Sequence, residues 1–226
     1  NRAASDAERR EGERTVVAVA RKIAEPEKQG DDIIAALPGA SDLTAKSSLL
    51  MVLGRLGDGD GLPILREALS SKENGLKRAG ILALSEWPNS TPINDLYQTA
   101  QNAEESSHQV LALRGYIALI DRLDDSTPSN EKTAHYKAAF ELAKDSAEKR
   151  AALSGVGKVH SGEAFDLAAG YLSDSEVKSE AEIAVLENAR WLRGELTQAR
   201  IEVLKKIGES SDDERIKRAV KQMLPK

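Results

Sequence analysis

The stretch Leu62 to Trp87, LPILREALSSKENGLKRAGILALSEW, carries its apolar positions in the rhythm of two amphipathic helices joined by a polar turn. Leu62, Leu65, Ala68 and Leu69 recur at helical spacings and share one face. Ser70 to Gly75 interrupt the pattern with turn and cap formers. A second stripe follows, running from Leu76 through Ala79, Ile81, Ala83 and Leu84 to Trp87, wide enough for burial between two neighbours, and Pro88 stops it. Two short helices cannot bury both stripes by themselves, so the hairpin requires others stacked beside it.

The same rhythm recurs in weaker form along the chain. Asn1 to Arg10 is polar and predicted to fray, and a helix follows to Glu25, closed by Pro26. Asp31 to Leu37 and Asp42 to Leu56 are the next helices, and GDGDG at Gly57 to Gly61 turns the chain into the hairpin above. Helices over Ile93 to Asn102 and Glu105 to Leu123 come before DDSTPSN, Asp124 to Asn130, the longest interior loop and the expected site of a bend. Beyond it, Glu131 to Lys144 pairs with Ala147 to His160, Glu163 to Leu172 with Ser175 to Arg193, and Leu196 to Ile207 with Asp212 to Leu224. The expectation is an all-α chain of about thirteen helices in about six hairpins, forming one domain over residues 1–226.

The repeat has a register. Aligning the second helix of each hairpin on its last strongly apolar position gives Leu53, Leu84, Leu119, Val156, Leu186 and Leu224, at steps of 31, 35, 37, 30 and 38 residues. Six residues before three of these anchors stand Arg78, Arg150 and Arg218, and five before each arginine stands an acid, Glu73, Asp145 or Asp213. Such pairs are expected to cap helix ends and tie adjacent hairpins together. An apolar first helix, an acid in the turn, then Arg-Ala and a closing Ala-Leu resembles HEAT and HEAT-like repeats, most clearly in LPILREALSSKENGLKRAGILAL. Leu113 and Glu180 stand where two copies of that pattern would place arginine. The resemblance implies a right-handed α-α superhelix, and it implies a protein-binding scaffold, since that is the usual role in the family.

Composition narrows the chemistry. Aromatic residues make up 4% of the chain and β-branched runs are missing, which disfavours a sheet. The formal net charge of −5 disfavours a general nucleic-acid binder, for which a basic stripe is expected. No apolar run approaches the roughly 20 residues of a membrane helix. With no cysteine, disulfides and thiolate metal sites are excluded, and a bacterial cytoplasm and an extracytoplasmic space suit the chain equally. The start at Asn1 rather than methionine is read as a processed protein or a piece of a larger multidomain one.

Catalytic and metal signals are weak. His108, His135 and His160 stand far apart, with no partner histidine at helical spacing. GDGDG has leucines where a calcium loop needs further oxygen ligands. GVGKVHSG, Gly155 to Gly162, has Val159 where a phosphate loop needs serine or threonine after its lysine. The expectation is therefore a chain that is not an enzyme and takes no metal and no cofactor. In HEAT-like stacks the second helices line the concave side, which by this register exposes Arg55, Glu86, Asp121, Arg122, Lys158, Asn188 and Arg190. Arg190, Trp191 and Arg193 form the sharpest candidate patch for a protein partner, with Arg122 and Lys158 beside it in register, while Trp87 reads as buried. Two other readings stand beside the interaction module. One is an enzyme on the same architecture, of DNA-glycosylase or bilin-lyase type, and the other is a passive spacer.

Overall fold

A computed structural model describes residues 5–192 and 194–224, and among them thirteen α-helices, two short 3-10 turns and no strand. The contacts divide the chain into two compact units, residues 1–122 and 123–226, so the division falls at the edge of the DDSTPSN loop.

In the first unit the helices are α1 (Asp6–Ala20), α2 (Asp31–Ala36), α3 (Leu43–Leu56), α4 (Gly61–Leu69), α5 (Asn74–Ser85), α6 (Ile93–Asn102) and α7 (Ser106–Ile120). α1, α3, α5 and α7 pack each on the next in one layer, and α2, α4 and α6 each pack on the helix that follows them. The second unit holds α8 (Ser129–Leu142), α9 (Ser146–Val156), α10 (Gly162–Ala169), α11 (Lys178–Trp191), α12 (Gln198–Ser210) and α13 (Glu214–Met223). There α9, α11 and α13 form the layer, each paired with the helix before it.

Local chemistry explains most boundaries. Ser5, Asp42, Asp145, Ser161, Thr197 and Asp213 are N-caps whose side chains accept from backbone amides two or three residues on. At the other end of α3, Gly57 adopts φ +70°, and a Cβ there would stand 2.2 Å from Pro88 Cγ, so the turn demands glycine for backbone and for space. The polar start of the chain is helical from Asp6 rather than frayed to Arg10. The Ser5 cap starts α1, and its buried Glu13 pairs with Arg55 of α3 at 3.0 Å.

Counting from the N-caps gives a second register. Eleven residues after Asp42, Glu73, Glu105, Asp145, Val177 and Asp213 stand Leu53, Leu84, Tyr116, Val156, Asn188 and Leu224. Tyr116 and Asn188 thus occupy the positions assigned to Leu119 and Leu186, although both leucines are buried. Leu224 lies past the end of α13 and is half-buried, and Val220 is the last core residue there. Asp145 and Asp213 cap their helices with their side chains, while Glu73 stands at the N-cap position of α5 without a side-chain cap bond, and no ion pair joins these acids to the arginines five positions later among the described residues. Arg150 donates instead to Glu176 O at 2.8 Å and pairs with Glu180 at 3.4 Å, on the next hairpin. Arg218 donates to Glu214 O on its own helix.

Arginines tie neighbouring hairpins in both units. Arg66 of α4 grips Asp95 of α6 in a bidentate pair, and Arg200 of α12 grips Asp166 of α10 in the same way. At the C-terminal ends of the first unit's layer, Arg21 donates to Arg55 O at 2.9 Å, and Arg122 donates to Ser85 O at 2.9 Å and to Trp87 O. Carbonyls left open at a helix end are thereby satisfied by an adjacent helix of the layer, α1 for α3 and α7 for α5. Asp58 of GDGDG is also structural, accepting from Gly30 N at 2.8 Å and from Asp60 N at 3.0 Å.

Candidate interaction surface

α11 is gripped on its flanks and open on one stripe. Ala181, Ala184, Val185, Leu186 and Ala189 turn inward, as their helical spacing requires. Glu182 is also buried. Its Oε2 accepts from Ser211 Oγ at 2.8 Å, and Lys178 beside it donates to Ser210 O, so both tie α11 to the turn before α13. On the other flank Asn188, with no exposed surface, donates to Val156 O at 3.0 Å and Ala184 O at 2.9 Å and accepts from Ser161 N at 3.0 Å. One amide side chain therefore joins α11 to the end of α9 and the start of α10.

Ile183, Glu187, Arg190 and Trp191 remain outside, at i, i+4, i+7 and i+8. Ile183 is 50% exposed and Trp191 67%, the two most exposed large apolar side chains among the described residues of the second unit. Between α11 and α13 a shallow depression of about 260 Å³ has Leu186, Ile216 and Ala219 as its floor. Two ion pairs rim it, Arg190 with Glu187 at 2.5 Å and Arg215 with Asp213 at 2.7 Å. Hydrogen bonds from the Arg215 side chain and backbone hold the Asp213 carboxyl at about 2, below its ordinary 3.8, so it stays charged at neutral pH.

Trp191 is held in place. Its indole stacks on the His160 imidazole with ring centroids 4.8 Å apart and planes 19° from parallel. His160 is the one non-glycine with positive φ among the described residues, at +61°, in the corner between α9 and α10. The next residue, Ser161, caps α10 through Ala164 N and gives its own N–H to Asn188. The left-handed corner is thereby pinned to the helix that carries Trp191, one turn before the indole.

The residues expected from sequence divide between the units. Arg190 and Trp191 lie on this stripe, Lys158 is exposed in the turn after α9, and Arg193 lies outside the described residues. Arg122 belongs to the first unit, where it closes the end of α5, and Trp87 there is 2% exposed. Asn188, expected to face a partner, is instead core. Ile183 carries no sign of exposure in the sequence, since it opens the apolar run Ile183 to Leu186, although it stands seven residues before Arg190. The His160 contact, 31 positions away in sequence, has no local signal at all. No family model matches this chain, and no curated protein matches it.

Proposed function

We propose that the chain is a non-catalytic protein-interaction module of HEAT-like repeats, and that the open stripe of α11 is one of its recognition faces. The layered pairing of helices within each unit suits a right-handed α-α superhelix, and the shared cap-to-core spacing suits repetition of one hairpin. The carrying observation is Trp191, largely exposed yet stacked on His160. A tryptophan held rigid loses little side-chain freedom on binding, which leaves more of its burial as affinity. Ile183, about two turns away on the same stripe, supplies further apolar area, and the two ion pairs form a polar rim.

The test is crosslinking capture with the wild-type chain and with Arg190→Ala/Trp191→Ala. A partner enriched by the wild type and lost by the variant, at an unchanged melting temperature, is the expected result. Identical partner sets would remove this face from the proposal.

The glycosylase-type reading has one observation on its side, a groove in the first unit rich in arginine that contains the buried Glu13. The Glu13 carboxylate is already occupied by Arg55 at 3.0 Å rather than open toward a substrate. The interaction reading is preferred for that reason.

A further inference from the structure

The arginine-rich groove of the first unit has a chemistry of its own. α1, α3 and α5 run in the same direction, since Arg9, Thr44 and Gly75 from their first turns meet at one surface while Arg21, Arg55 and Glu86 from their ends meet at another. The groove along them measures about 540 Å³. Arg9, Arg10, Arg55 and Arg78 enter it, and Glu13 is the one carboxylate lining it among the described residues.

The four cations are committed to different degrees. Arg55 is fully engaged, with Glu13 at 3.0 Å and Glu86 at 3.6 Å. Arg9 pairs with Asp6 at 2.7 Å. Among the described residues Arg10 reaches only a backbone carbonyl, Asp6 O at 3.3 Å. Arg78 makes no ion pair or hydrogen bond among the described residues and is exposed. The positive ends of three parallel helices add to these charges, offset in part by the N-caps Asp42 and Glu73. Between the arginines the floor is mixed. Met51 and Leu82 give apolar surface, and the Ser48 hydroxyl is buried with no partner among the described residues.

We infer that this groove binds a carboxylate-bearing segment of a protein partner, with an apolar side chain seated on Met51 and Leu82 between the arginines. Guanidinium groups match carboxylates in planar, paired geometry, and two of the four have charge to spare. A nucleic-acid backbone fits less well. The apolar floor at Met51 and Leu82 has nothing to offer a phosphate ladder, whereas a peptide can alternate carboxylates with apolar side chains. The inference rests on the reading of the chain as a protein-binding module and adds a partner chemistry on a surface separate from the α11 stripe.

The test uses fluorescence anisotropy on the full chain with three labelled probes: a peptide of repeated Glu-Leu-Asp triplets, its Gln-Leu-Asn counterpart and a mixed-sequence DNA oligonucleotide. The acidic peptide is expected to bind, the neutral one to bind at least about tenfold more weakly, and added salt to weaken the acidic complex. Arg9→Gln/Arg10→Gln/Arg78→Gln should cost about tenfold in affinity for the acidic peptide, and Arg78→Gln alone about two- to fourfold. Arg78 has no partner among the described residues to lose, so the single variant separates binding from folding. Trp191→Ala should leave peptide affinity unchanged, which separates failure of this groove from failure of the α11 face. Equal binding of both peptides, no binding of either, unchanged affinity in the arginine variants, or tighter binding of DNA each overturns the inference.

Discussion

Gly54 lies where α3 meets α5, and an ideal Cβ placed on it stands 2.1 Å from Ala83 O, 2.6 Å from Ala83 C and 2.8 Å from Ala83 Cα. The obstacle is backbone, so no rotamer change relieves it. Gly54→Ala must push the two helices apart, and the neighbouring Leu53, Ala83 and Leu84 have no exposed surface in which to absorb the shift. Overpacking of this kind costs about 1–3 kcal/mol or more, against which alanine in a helix regains about 1 kcal/mol. A backbone clash at 2.1 Å places the cost at the upper end of that range, so the net expectation is a loss of about 2 kcal/mol. Gly12, in the middle of α1, provides the control in the same unit, because a Cβ at that position would meet nothing within 4 Å. There Gly12→Ala feels only helix propensity and should gain about 0.5–1 kcal/mol. The same substitution in two helices of one unit thus has opposite signs. In urea the two midpoints should differ by about 1 M, taking slopes of about 1–3 kcal/mol per molar. A Gly54→Ala midpoint at or above wild type refutes the close approach of α3 and α5.

Two further outcomes follow from the second unit. Asn188→Leu removes three buried hydrogen bonds and strands Ser161 N, while Val156 O keeps its bond from Val159 N, at a cost of about 1–3 kcal/mol in urea melts, and a loss under about 1 kcal/mol contradicts the bridging role. Because the Asp213 carboxyl is held below its unfolded value, the stability it contributes is complete above about pH 4 and is lost as pH falls toward 2. Arg215→Gln should move its midpoint back toward 3.8 in a carbon-13 carboxyl titration, and a midpoint that stays near 2 excludes Arg215 as the cause.

The helices were legible because their period is a local property. The hairpin Leu62 to Trp87 is α4 and α5 with few changes at the ends, and N-caps such as Asp145 were visible as acids in turns. The start of α1 was not, since its polar residues give no stripe to read and its Glu13 finds Arg55 only across the fold. The interaction face was half legible. Arg190 and Trp191 stood out by residue type, but Ile183 and the buried Asn188 could not be told apart by pattern, as each sits in an unbroken helical run.

By itself the sequence determined the all-α class, the paired helices and most of their ends, because apolar periodicity and capping act over a turn or two of chain. Tertiary structure alone decided which arginine meets which acid. The spacing pairs Arg150 with Asp145 on paper, but the acid is spent capping its own helix and the arginine reaches the next hairpin. Packing likewise set which residues of α11 face solvent, and it gathered Arg9, Arg10, Arg55 and Arg78 from three helices into one groove. Contacts between residues some 30 positions apart depend on how helices stack, and no local stretch of sequence records that geometry.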